Sequence, residues 1–169
     1  MKNLTTCIIL TFVVCLLWSA NGLFAQPRVV VSSDFPPFDV IPGGANFGPN
    51  HLRSDPDDIQ SMIRLLLYSN QLKVEGLIAS SATLANVADK RGILDLLHLY
   101  DRVDENLQLH DPAYPTADKL RSVTWVGRSN SYGRPAAEII GNGMDSEASE
   151  AIISLIDDAS DQRPVWFLF

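Results

Sequence analysis

The sequence predicts an α/β domain with a parallel sheet and flanking helices, and three observations carry that expectation. First, Arg28–Ser33 (Arg-Val-Val-Val-Ser-Ser), bounded by Pro27 and Asp34, is apolar and β-branched, the pattern of a buried strand. Second, Ile59, Met62, Ile63, Leu66 and Leu67 recur at i, i+3, i+4, i+7 and i+8, one apolar face of a helix. Third, Lys73–Ala79 (Lys-Val-Glu-Gly-Leu-Ile-Ala) reads as another strand. Strand, helix and strand in this order form a βαβ unit, which pairs its strands in parallel through a right-handed crossover.

The remaining elements follow by the same reasoning. Residues 35–54 are rich in Pro, Gly and Asn and lack periodicity. A loop of about 20 residues inside a compact domain is uncommon and is usually functional. Asp57 opens the first helix and Asn70 ends it. A second amphipathic helix is expected over 87–104, with Ile93, Leu94, Leu97, Tyr100 and Val103 turned inward. A turn at 110–115 and a short helix over 117–126 come next. Loops at 127–133 and 141–146 precede a last helix over 147–158, whose Ala151, Ile152, Leu155 and Ile156 share a face. Arg163-Pro164-Val165-Trp166-Phe167-Leu168-Phe169 then begins a third strand. A strand apolar on both faces belongs in the middle of a sheet, covered by a following helix. The sequence thus reads as the first part of an α/β domain.

The start of the chain reads differently. Lys2 precedes an almost wholly apolar stretch over 7–18, then Ser19, Ala20, Asn21 and Gly22, with Ala25 before Gln26. This is the pattern of a secretory signal over 1–25, with cleavage after Ala25 or alternatively after Ala20. The apolar run is shorter than the ~20 residues a spanning helix needs. A secreted or periplasmic location is expected, with no membrane association after signal removal. Both cysteines, Cys7 and Cys15, lie in this leader, so residues 26–169 would carry no disulfide, thiol nucleophile or Cys-ligated zinc. The net charge of the whole chain is -7, and Lys2 is the sole charge in the leader. Such acidity argues against a nucleic-acid partner held through its phosphates. It suits cation binding where acids converge.

They converge around the first strand. Asp34 lies at its carboxyl end, where parallel sheets bind ligands, and Asp57 and Asp58 lie at the amino end of the following helix. Asp55 is close by in sequence. Carboxylates gathered in one crevice repel each other unless a cation is present, and Ca²⁺ or Mg²⁺ suits oxygen ligands best. The competing explanation is helix capping, with Asp57 and Gln60 as a capping box. The pattern alone leaves both open.

These residues resemble a known family. Val30-Val31-Ser32-Ser33-Asp34, Asp55-Pro56-Asp57-Asp58-Ile59-Gln60 and Val74-Glu75-Gly76-Leu77-Ile78-Ala79-Ser80-Ser81 look like the start of the nucleoside hydrolase-like domain of bacterial cellulose-binding proteins. Asn106-Leu107, His110-Asp111, Tyr114-Pro115, Gly141, Asp145-Ser146-Glu147 and Arg163-Pro164-Val165-Trp166 extend the likeness over nearly all of 26–169. The resemblance implies a Rossmann-like nucleoside hydrolase fold, here its N-terminal portion. It implies a Ca²⁺ ion that activates water to cleave an N-riboside. It makes Asp34 a calcium ligand and the base, Asp58 a calcium ligand, and Asp57 a partner of sugar hydroxyls, with Ser80 and Ser81 near the sugar. Asp55 has no assigned counterpart. The 35–54 loop departs from the family's shorter spacing, and Asp39 within it is a competing ligand. The family's later ligands, a carbonyl after the third strand and a distant aspartate, have no counterpart here.

Other residues are read as structural. His110 is a turn histidine rather than an acid, and His51 and His98 lack a ligand partner at helical spacing. Trp125 could stack on sugar, whereas Trp166, in a strand, is expected in the core. Asn142, Asp145 and Ser146 could line the crevice, although Ser146 with Ser149 reads as a helix start. Gly141 and Gly143 lack the Lys of a phosphate loop. Three functional classes follow: an exported Ca²⁺-dependent hydrolase of N-glycosyl bonds acting on a small nucleoside or carbohydrate, a non-catalytic carbohydrate-binding domain, and an inactive truncated fragment.

Overall fold

A computed structural model describes residues 25–34, 56–81, 86–131 and 133–169 of the chain. The expected leader up to residue 24, the 35–54 loop, His51, Asp39 and Asp55 lie outside the described residues. Four strands and five α-helices are described: β1 (Arg28–Ser33), α1 (Pro56–Leu67), β2 (Lys73–Ala79), α2 (Arg91–Tyr100), α3 (Asp104–His110), α4 (Ala117–Ser122), β3 (Thr124–Val126), α5 (Glu147–Asp157) and β4 (Val165–Leu168). The strands form one sheet in the order β3-β2-β1-β4, parallel at every pairing. The α/β architecture with a parallel sheet, expected from the βαβ reading, is the one observed, and it is Rossmann-like as the resemblance implied.

Helices pack on both faces of β1 and β2, whose successive residues point to opposite sides. Val29, Val74, Leu77 and Ala79 face α1, α2 and α4, packing against Met62, Leu66, Ile93, Leu97 and Leu120. Val30 and Ile78 face the other way, onto Ala148, Ile152 and Leu155 of α5. Strict alternation would place Val74 and Leu77 on opposite faces, yet both join the first cluster. A register shift resolves this: Val29 pairs with Val74 but Val30 pairs with Gly76, so Glu75 is an extra residue, a β-bulge. The bulge frees Glu75 for the buried guanidinium of Arg28, whose Nε lies 2.7 Å from its carboxylate. Arg28 also donates to the carbonyls of Asp161 (2.8 Å) and Arg163 (3.0 Å), fastening the approach to β4 against the foot of β1.

Several expectations are corrected. The first helix begins at Pro56, so Asp57 is its second residue and not its cap. Its inward stripe is Ile59, Met62, Leu65 and Leu66, while Ile63 and Leu67 are exposed. It stops at Leu67, and a 3-10 turn over Ser69–Gln71 leads into β2. The helix expected over 87–104 is two helices. Its amino end is delayed to Arg91, where the Asp89 carboxylate accepts the Arg91 N–H in a local turn. It breaks at 101–103, because Asp104 is buried and accepts the Ala117 N–H at 2.8 Å; Val103 is exposed.

The helix expected over 117–126 stops at Ser122. Val123 and Thr124 are β-branched and buried, and Thr124–Val126 pairs with β2 as β3. The strand after Arg163 is therefore the fourth, and among the described strands it lies at the edge of the sheet. Trp166 is 60% exposed there, not in the core. His110 ends α3 and is exposed. The last helix matches its expected face in Ile152 and Leu155, while Ile156 faces outward. Ser146 and Ser149 mark its start as expected, and the structure shows them as a capping box.

Candidate functional site at the carboxyl ends of the strands

Parallel strands end together, so β1, β2 and β3 present their carboxyl ends along one rim. Hydrogen bonds beyond the ladder tie the rim together. The Ser80 N–H donates to the Ser33 carbonyl (2.9 Å), and Gly127 N–H to Ala79 (2.8 Å). The Ser80 hydroxyl also reaches the Ser33 carbonyl, at 3.3 Å, and the Ser81 hydroxyl donates to the Arg128 carbonyl at 2.8 Å. Asn130 N–H donates to the Asn86 carbonyl. The loop after β3 is thereby held against the loop after β2.

Beside the end of β1 lies a cleft of about 320 Å³, lined by Val31, Ser32, Ser33, Asp58, Ser61, Met62, Leu65, Leu168 and Phe169. Four of these, Asp58, Ser61, Met62 and Leu65, fall at i, i+3, i+4 and i+7 of α1, so one helical face builds one wall. The wall passes from polar at the amino end of the helix to apolar deeper along it. Asp58 is half-buried at the cleft, whereas Asp57, the adjacent residue on the helix, is exposed. Both lie in the first turn, where the partial positive charge of the helix favours carboxylates. Asp34 follows Ser33 directly and is half-buried.

The structure therefore brings Asp58 together with Ser32 and Ser33 and places Asp34 at the adjoining strand end. Ser80 adjoins through its bond to Ser33; Ser81 turns toward the loop after β3. Among the described residues, no three His, Asp or Glu side chains come together as a metal-holding group. The donors present are carboxylate and hydroxyl oxygens, which suit a hard cation such as Ca²⁺ in type.

Ser61 and Leu168 are cleft residues that the sequence reading missed. The i+3 spacing from Asp58 signals Ser61, whereas Leu168 depends on β4 lying next to β1. Asn142 and Asp145 are exposed. Their neighbour Glu147 binds Lys90 through both oxygens at 2.8 Å and accepts the Val126 N–H at 3.0 Å. The Lys90 ammonium holds this carboxyl below its ordinary range, helped by the Val126 N–H. Trp125 packs inside, against α5 and Gly76, rather than at the rim.

An α/β fold with a ligand cleft at the strand ends is shared by many proteins, and comparison narrows the class. The chain belongs to the family described as "Cellulose-binding Sde182, nucleoside hydrolase-like domain", whose model matches residues 50–169. A similar solved structure is a nucleoside hydrolase-related hypothetical protein from Saccharophagus degradans that is associated with carbohydrate metabolism. It is 28% identical, with a TM-score of 0.67 over 85% of this chain. This chain spans 30% of that protein's length. No curated protein matches it.

Proposed function

We propose that the domain is exported and acts on a carbohydrate or nucleoside through Ca²⁺-assisted hydrolysis of an N-glycosyl bond, at the cleft beside β1. The observation that carries this reading is the placement of Asp58 on the cleft wall opposite the end of β1, with Asp34 as the next residue of that strand's chain. In this reading Asp34 and Asp58 hold the ion, Asp34 takes the proton of the attacking water, and Asp57, exposed beside them, engages sugar hydroxyls. Bound calcium would orient and acidify that water. The apolar inner wall, Met62, Leu65 and Leu168, suits the flat face of a sugar or base. Family membership and the carbohydrate association of the similar structure support the ligand class.

A second reading, binding without hydrolysis, is supported by the cellulose-binding description of the family. Calcium titration by calorimetry, combined with assays of base release from nucleosides and of nitrophenyl-riboside cleavage, separates the two. Calcium-dependent release that is lost in Asp34→Asn supports the hydrolase. Retention on cellulose or a soluble oligosaccharide with no release under any calcium concentration supports the binding domain. Export is tested by cell fractionation and by the amino-terminal sequence of the recovered protein.

A further inference from the structure

The Ser33 carbonyl receives two donors from one residue, the Ser80 N–H at 2.9 Å and the Ser80 hydroxyl at 3.3 Å. That carbonyl belongs to the peptide unit joining Ser33 to Asp34. A peptide unit is planar, so fixing the direction of its C=O also fixes the adjoining N–H and the Cα of Asp34. A single ladder bond leaves this terminal plane free to rock at the end of the strand. The second donor restrains that rotation. Among the described residues, no β1–β2 register partner is present beyond Ser33↔Ala79, and the Ser80 pair is the last tie from β1 to β2.

The Ser80 hydroxyl thus faces main chain, 3.3 Å from the Ser33 carbonyl. We propose that Ser80 is a positioning residue, which clamps the Ser33–Asp34 peptide and so sets the direction in which the Asp34 carboxylate leaves the strand end beside the cleft. This rests on the reading of Asp34 as a calcium ligand. It reassigns Ser80 from touching the sugar to aligning the carboxylate. Partners that orient a metal ligand commonly carry a 10–100-fold effect on metal affinity, although they never touch the ion.

The test uses the full chain as wild type, Ser80→Ala and Ser80→Thr. Calcium affinity is read by calorimetry and exchange of the Asp34 amide by NMR, with melting temperature as a control on folding. Ser80→Ala should weaken calcium binding by about tenfold and speed Asp34 amide exchange, and Ser80→Thr, which keeps the hydroxyl, should restore both. Where wild type binds calcium, an unchanged affinity in Ser80→Ala overturns the proposal, as does a loss that Ser80→Thr fails to rescue. Where wild type takes up no calcium, the metal reading itself has failed, and amide exchange alone decides the clamp. Faster exchange in Ser80→Ala that Ser80→Thr reverses then supports it, and any other pattern overturns it.

Discussion

The ring of Trp125 on β3 rests on Gly76 of β2: a Cβ at Gly76 would lie 2.5 Å from Cζ3 of that ring. The glycine is the gap in the strand that admits the indole, and the bulge at Glu75 sets the face it occupies. Gly76→Ala is therefore expected to overpack the α5 side of the sheet and destabilise the domain by about 1–3 kcal/mol. Chemical denaturation measures this. Gly76→Ala combined with Trp125→Leu should cost less than the two single changes summed, since the smaller side chain relieves the contact. Additive costs would show that the ring is not the neighbour that matters.

The cluster at the foot of the sheet predicts acid sensitivity. Burial pushes the Glu75 carboxyl up, but hydrogen bonds from Lys73 and Arg28 outweigh it and hold Glu75 below its ordinary value of 4.5. Asp161 is held far below its ordinary range, chiefly by Arg163. A carboxyl depressed in the folded state stabilises the fold at pH above its unfolded value, and that contribution is lost as pH falls through the folded value. Melting temperature should thus be level near neutrality and decline below about pH 4.5. Glu75→Gln should lower the plateau and flatten the decline.

Removing the cation of the same cluster should cost more. Arg28 is 3% exposed and the Glu75 side chain 12%, so Arg28→Ala leaves a nearly buried carboxylate with Lys73, at 2.8 Å, as its remaining partner. Breaking one side of a buried pair costs about 3–5 kcal/mol when the other charge is left alone, and the Lys73 contact keeps the expected loss at or below the low end of that range. The variant also releases the carbonyls of Asp161 and Arg163, so proteolysis near 158–164 should accelerate. Denaturant midpoints and limited proteolysis check both expectations.

Elements whose local pattern and tertiary role agree were legible in the sequence, such as β1 and β2. β3 was not. It is three residues long and follows α4 after Val123 alone, so Leu120 and Val123 sustain a helical spacing into it. The break at 101–103 was hidden for a different reason. Nothing local forbids helix there, and what stops it is the Asp104 carboxylate reaching a residue thirteen positions on. Gly76 inside an apolar strand was a readable sign of a bulge or a close approach, and both are present. At the site, Asp34 and Asp58 could be placed from topology alone. The Ser80 bond to Ser33 and the wall formed by Leu168 depend on which strands are neighbours, and no short stretch of sequence encodes that.

The buried Asp104 carboxylate is expected to matter through its acceptor oxygen. Asp104→Ala leaves the Ala117 N–H without its 2.8 Å partner at a position where both residues are buried. An unsatisfied buried donor costs about 1–3 kcal/mol. Asp104→Asn keeps an acceptor and should cost less. Thermal unfolding of the two variants distinguishes loss of the hydrogen bond from loss of the charge, because equal destabilisation would mean that charge is what α4 requires.

Asp57 and Asp58 provide a test of the site that their adjacency in sequence makes sharp. Both sit in the first turn of α1 with the same helix dipole, so their effects on helix stability should be alike, within about 1 kcal/mol. Their positions differ: Asp58 lines the cleft, and Asp57 is exposed. If the cleft holds the ion, Asp58→Asn should weaken calcium binding at least tenfold, because carboxylate count strongly tunes such sites. Asp57→Asn should leave calcium binding within a few-fold and reduce affinity for the sugar ligand instead. Calorimetric calcium titrations on both variants, beside their melting temperatures, read the difference. Equal losses of calcium affinity would mean that the ion lies over the amino end of α1 rather than in the cleft, and Ser61 and Met62 would then have no part in the site.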